Sequence, residues 1–170
     1  MVYSPRGYII RPVTDDDWPA IVHIQSLAYG NFALETEAVL RSKQTASANY
    51  CRVLVIDHQI RGYCLAHAWP AGQVPSLHTA LTVGHTSDNL FLHDLALDPA
   101  ITGQGLAQTL FHAIHRQAMT AGFHSISLAA VQQSRSFWVK QGFIALHTAL
   151  PLNYGNDATF MTCRLTDNRR

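Results

Sequence analysis

Apolar and polar positions follow two rhythms along the chain. Short runs dense in β-branched and aromatic residues, "YIIRPV" at 8 to 13, "CRVLVID" at 51 to 57, "GYCLAHAW" at 62 to 69 and "SISLAAV" at 125 to 131, predict strands. Further strands are expected at 89 to 97, 143 to 148 and 158 to 165, and the short link His58 to Arg61 makes the second and third a hairpin. The helical rhythm begins at Thr14, where T-x-x-D with Asp17 is a capping signal for a helix through about Ala28. Its apolar face is Trp18, Ile21, Val22, Ile24 and Leu27. A short helix is expected from Glu35 to Lys43 after the loop "YGNF". A longer one runs from about Gly105 to Ala121, with Leu106, Leu110, Ala113, Ile114, Gln117 and Ala121 on one side and Gly122 closing it. A last short helix spans Ser134 to Gln141 and ends at Gly142. The order β-α-α-β-β-β-α-β-α-β-β predicts an α/β (α+β) fold, a mixed sheet with helices packed on it, in one domain over residues 1–170.

Composition narrows the classes without choosing one. A formal net charge of +1 leaves no electrostatic footprint for nucleic acid or an anionic membrane surface. No apolar run approaches a membrane span, and Arg6 and Arg11 interrupt any signal-peptide core near the start. Cys51, Cys64 and Cys163 are odd in number and lie in strand-like runs, so they read as buried free thiols. Lack of a disulfide framework or export signal points to the cytoplasm. His112 and His115 share a helix face, but without further ligands at suitable spacing they predict a solvated face and no metal site. Residues 70 to 88 carry Pro70, Gly72, Pro75, Gly84 and Asp88 with little periodicity, and a loop of that length in a compact domain is usually functional or mobile.

The chemistry concentrates in "LFLHDLALDPAITGQGLA", residues 90 to 107. A strand gives way to a glycine turn and then to a helix. The first turn of a helix offers amides without intrahelical acceptors, together with the positive end of the macrodipole. Glycines let that backbone approach a bulky anion, so Gly103, Gln104, Gly105, Leu106 and Ala107 form a candidate pyrophosphate cradle. The segment contains neither a P-loop nor the dinucleotide fingerprint, since the residue three after Gly105 is Gln108.

These residues resemble the GNAT superfamily of acetyl-CoA-dependent N-acetyltransferases. The family signature [Q/R]-x-x-G-x-[G/A] is matched at Gly105 and Ala107, "LHDLALDP" is similar to its central strand, and "SRSFWVKQGF" to its short helix ending in a Gly-Phe step. "NYGNDATFM" is similar to an ending seen in a bacterial branch. Thr102 departs from the signature's first position. The resemblance implies a mostly antiparallel sheet of about 6–7 strands with about four helices, splayed between strands 90–97 and 125–131. It implies acetyl-CoA as donor, with no metal, and a small-molecule or peptide primary amine as acceptor. It implies that Leu95, Ala96 and Leu97 hold pantetheine, that the Leu95 amide donates to the oxyanion, that Gly103 to Gln108 hold pyrophosphate, and that Ser134 to Trp138 flank the pantetheine arm. A homodimer through an exposed sheet edge is a further expectation.

Amine acetylation requires a base, because an ammonium has no lone pair. His93 is the candidate: a histidine titrates near neutrality in general, and a comparable strand histidine lies in the proton path of one family member. Strand alternation places His93 on the face of Leu95 and Leu97 and turns Asp94 away as a structural residue, unless a β-bulge intervenes. For the thiolate's proton the family often uses a tyrosine where this chain has Trp138, whose indole cannot deliver one, so Tyr154 is the substitute. Tyr29, Asn31 and Phe32, with residues 70 to 88, are candidate acceptor walls, and Phe32, Trp69 and His78 suggest a neutral or aromatic amine. Two other readings remain from the residues alone: a CoA-binding module without catalysis, and an unrelated nucleotide-binding domain.

Overall fold

The computed structural model describes residues 7–32, 34–82 and 86–165; Arg6 and Gly84 lie outside the described residues. Seven strands, β1 (Tyr8–Pro12), β2 (Cys51–Ile56), β3 (Gln59–Ala68), β4 (Asn89–Leu97), β5 (Ser125–Ala130), β6 (Ile144–Ala145) and β7 (Thr159–Arg164), form one sheet in the order β1-β2-β3-β4-β5-β7-β6. Four α-helices cover it: α1 (Trp18–Tyr29), α2 (Glu37–Ser47), α3 (Leu106–Thr120) and α4 (Arg135–Lys140). No helix among the described residues is long and apolar enough to cross a membrane.

Local chemistry sets the element ends. Thr14 donates from its amide to Asp17 at 2.7 Å, and Arg11 grips the same carboxylate at 2.6 and 2.8 Å, which fixes β1 to the start of α1. The β2–β3 hairpin is tighter than expected, because Asp57 and His58 adopt positive φ (49° and 64°) and make a two-residue turn. Helix α2 starts two residues later than the sequence suggests: Thr36 is the cap and accepts from the Val39 amide at 3.3 Å. Glu35 therefore lies outside the helix. The strand expected at 143 to 148 pairs over Ile144–Ala145 only.

The sheet separates two cores. Leu54, Cys64, Ala66, Leu90, Leu92 and Leu97 pack with Leu106, Leu110 and Ile114 of α3. Trp18, Ile21 and Ile24 of α1 and Leu40 of α2 cover Cys51, Val53, Tyr63, Leu65 and Ala96 on the other face. All three cysteines are free and buried, and burial pushes the Cys51 thiol up to about 12.

Two irregularities of β4 position the site. Its pairing with β5, the one parallel pair among the described residues, holds at Asn89↔Ser125, Leu90↔Ile126 and Phe91↔Ser127 and goes no further. Beyond Phe91 the strands splay, while β5 continues along β7. On its other side β4 shifts register against β3: Leu65 faces Asp94 but Ala66 faces Leu92, leaving His93 as the extra residue of a β-bulge.

Candidate active site

The bulge corrects the expected parity. Phe91 and His93 face α1 and α2 before it, and Asp94 and Ala96 face the same side after it. Leu92 and Leu97 join the α3 core, with Leu95 packed against it. His93 therefore lies opposite Leu95 and Leu97, and Asp94 is beside it, not turned away. An extra residue in one strand shifts side-chain alternation by one, which is the physical reason for the change.

A cavity of about 450 Å³ opens where β4 and β5 part. On the α3 side its wall includes Leu95, Leu97, Thr102, Ala107, Ser134 and Trp138. On the α1 side it includes Tyr29, Phe32, Glu35, His93, Asp94 and Tyr154. Ala96 also lines it, whereas Gly103, Gln104, Gly105, Leu106 and Gln108 form the turn beside it and are not in its wall. Of the expected acceptor segment 70 to 88, Leu77 is the residue among those described that reaches the wall; Asn31, Trp69 and His78 do not.

The glycine turn has the form an anion cradle needs. Gly103 and Gly105 adopt φ of +79° and +76°, and a Cβ at either would meet nothing within 4 Å. Conformation, not space, thus requires glycine here. Gly105 is the cap of α3 and no side chain closes that end; Gly105 O receives the Thr109 amide at 3.1 Å, so the Leu106, Ala107 and Gln108 amides precede the first intrahelical acceptor. Thr102 turns its hydroxyl onto Pro99 O at 3.0 Å, closing the short turn after β4.

On the opposite side lies a buried polar network. His93 Nε2 bonds Glu35 Oε1, with the two side chains 2% and 4% exposed. An ionised carboxylate only accepts, so Nε2 carries the proton of this hydrogen bond. Nδ1 is buried and has no hydrogen-bond partner among the described residues. Glu35 Oε2 accepts from the His78 amide at 2.9 Å. Burial pushes the Glu35 carboxyl up, but His93, the His78 amide and the charge of Lys43 together hold it below its ordinary value. Lys43 is fully buried with no hydrogen bond to Nζ, and burial lowers its pKa against the pull of Glu35.

Asp94 is held separately. Tyr29 donates to Oδ1 at 2.5 Å and Tyr63 to Oδ2 at 2.6 Å, while burial raises the carboxyl above its usual range. Tyr154 donates to Pro75 O at 2.5 Å, and burial raises its phenol. Glu35 is the residue of this site that the sequence reading missed. Its one signal is the cap: with Thr36 as N-cap, the residue before it leaves the helix and can point at the sheet.

A family model described as the acetyltransferase (GNAT) family matches residues 18–143. No curated protein sequence matches the chain significantly. Among solved structures, the GphF GNAT-like decarboxylase in complex with isobutyryl-CoA is similar at TM-score 0.80 and 14% identity, over 93% of this chain and 100% of that one. PaiA N-acetyltransferase from Thermoplasma acidophilum in complex with coenzyme A is similar at 0.70 and 14%, over 93% and 99%. The NatC complex bound to Gag peptide and CoA is similar at 0.68 and 16%, over 94% and 99%. At these identities the likeness is one of fold.

Proposed function

Since the chain belongs to the acetyltransferase (GNAT) family, with the matched region spanning the splay and the glycine turn, we propose that it transfers an acetyl group from acetyl-CoA to a primary amine. The observation that carries this reading is His93, a buried imidazole in the wall of the cavity whose Nδ1 has no hydrogen-bond partner among the described residues. CoA is held at the glycine turn, whose uncapped amides suit pyrophosphate. Neighbours of the same fold hold CoA or isobutyryl-CoA, which supports the choice of donor.

In this mechanism Leu95, Ala96 and Leu97 hold the thioester end and Ser134 and Trp138 flank the pantetheine arm, all at the cavity wall. Nδ1 takes the ammonium proton, and Glu35 fixes the ring and stabilises the imidazolium. The amine nitrogen then attacks the thioester carbon, the C–N bond forms, and the Leu95 amide stabilises the oxyanion before the C–S bond breaks. As the C–S bond breaks, the nitrogen sheds its extra proton to become an amide and the departing thiolate takes that proton, so CoA leaves as the thiol. Tyr154 serves that step poorly: its proton is already donated to Pro75 O, and burial makes the phenol a weaker acid. We assign Tyr154 to the wall, together with Tyr29 and Phe32.

The test is thiol release from acetyl-CoA over a panel of primary amines, with CoA binding measured by calorimetry. His93→Ala should lower kcat by about 10²–10⁴-fold while CoA affinity holds. Unchanged kcat in this variant would refute the assignment.

A further inference from the structure

The acceptor half of the cavity has a construction that restricts what enters, and the inference drawn from it rests on the acetyl-transfer reading above. Residues 75–81 run across this side as a strap fastened at three points. Tyr154 donates to Pro75 O at 2.5 Å, the His78 amide to Glu35 Oε2 at 2.9 Å, and the Leu81 amide to Ser42 Oγ at 2.9 Å. The turn carrying Tyr154 is itself close to the loop after α1: a Cβ on Gly155 would lie 3.1 Å from the Phe32 ring. An extended peptide laid over the bulge would have to displace this strap and the hydrogen bonds that hold it.

Charge restricts the acceptor further. No Lys or Arg lines the cavity among the described residues, so a carboxylate or phosphate on the acceptor finds no counter-ion. Two carboxylates do line it, but both are buried and each oxygen already accepts a hydrogen bond. Glu35 gives one oxygen to His93 and the other to the His78 amide; Asp94 gives one to Tyr29 and one to Tyr63. A second ammonium would have to shed its water to reach either one, a desolvation cost that disfavours its binding there. What remains for contact is apolar and aromatic: Phe32, Leu77, Ala28 and the ring faces of Tyr29 and Tyr154. A volume of about 450 Å³, at the small end for ligand pockets, must also admit the thioester.

We propose that the acceptor is a compact monoamine with an apolar or aromatic body and no anionic group, and that peptides, amino acids and polyamines are excluded. Recognition comes from enclosing the body of the amine, with Phe32 and Leu77 as specificity residues. The strap makes the site selective by size, and the occupied carboxylates make it selective by charge.

The experiment compares kcat/KM with acetyl-CoA for 2-phenylethylamine and hexylamine against alanine, spermidine, an N-terminal alanine peptide and a lysine peptide. The expected result is a preference of at least about 100-fold for the two monoamines, since an unpaired buried charge or a displaced strap costs a few kcal/mol. Phe32→Ala and Leu77→Ala should each raise KM for 2-phenylethylamine about tenfold with smaller changes in kcat. Turnover that favours the peptides, alanine or spermidine overturns the substrate class and leaves acetyl transfer standing. Absence of turnover with every amine, while CoA binds, overturns acetyl transfer. In that case stabilisation of the CoA complex by 2-phenylethylamine but not by spermidine, in a thermal melt, still supports the pocket's selectivity; equal stabilisation refutes it.

Discussion

Replacing Glu35 by Gln removes the single anion that faces both His93 and Lys43, and its cost can be worked from their burial. The Glu35 side chain is 4% exposed and Lys43 is wholly buried without a hydrogen bond to Nζ. Glu35 and Lys43 attract through space without a direct ion-pair contact, so removing the carboxylate costs less than the roughly 3–5 kcal/mol of breaking a close buried pair, while the lost hydrogen bonds to His93 and the His78 amide add to it. Lys43 can shed part of that cost by losing its proton, since burial has already lowered its pKa. A loss of about 2–4 kcal/mol is therefore expected, which for a chain of this length lowers Tm by about 4–16 °C.

The decisive measurement is a double-mutant cycle in urea at pH 7. In a Lys43→Met background no cation is stranded, so Glu35→Gln should cost about 1–2 kcal/mol less than in the wild type. Coupling below about 0.3 kcal/mol, within the error of additivity, would refute the claim that Lys43 and Glu35 stabilise each other. Glu35→Gln should also lower kcat by about 10²-fold with either lysine or methionine at 43, because its action on catalysis runs through His93.

Gly105→Val should weaken CoA binding about tenfold in calorimetry, because a β-branched residue at φ +76° costs about 1–2 kcal/mol, while Gly105→Asn, which tolerates that conformation, should lose less; equal losses would exclude strain as the cause. Tyr154→Phe should destabilise the fold by about 1 kcal/mol and raise KM for the amine with kcat largely kept, whereas a kcat loss of about 100-fold would reinstate the phenol as the thiolate's acid. The two wall carboxylates act on stability with opposite sign. The folded pKa of Glu35 is depressed, so its contribution is present above the unfolded value near about 4.3 and lost as pH falls, and urea midpoints below pH 5 should fall less steeply in Glu35→Gln. The folded pKa of Asp94 is raised, so the folded state holds that proton longer, and stability falls as pH rises from about 4 through the folded value; Asp94→Asn should remove that slope.

Most of the scaffold was legible in the residues because its signals are local. The strand at 89 to 97 is found as expected, and the helix placed at Gly105 to Ala121 is found at Leu106–Thr120, closed by Gly122 at φ +86°. The acceptor wall was less legible. Glu35 went unnoticed because placing the second helix at residue 35 makes it an ordinary first-turn acid, when the cap is one residue later. The strap was visible only as a long loop: its fastenings are backbone amides and carbonyls, which carry no residue identity.

The bulge is the most consequential thing the sequence could not disclose. No glycine or proline marks it; it arises from how β3 and β4 register over their whole length, with Leu65 opposite Asp94 and Ala66 opposite Leu92. With straight pairing, His93 would face the α3 core, and Glu35, which comes from the start of α2, could not reach it. The extra residue instead puts His93 and Asp94 on the α1 side, while Leu95 and Leu97 keep the α3 side, beside the turn of Gly103 and Gly105. In the proposed reaction the base serves the amine while the backbone holds the thioester, so the two approach the reacting pair from different sides. In this strand the side chain of His93 reaches the face opposite Leu95 and Leu97 because alternation is interrupted, and the interruption falls at His93 itself.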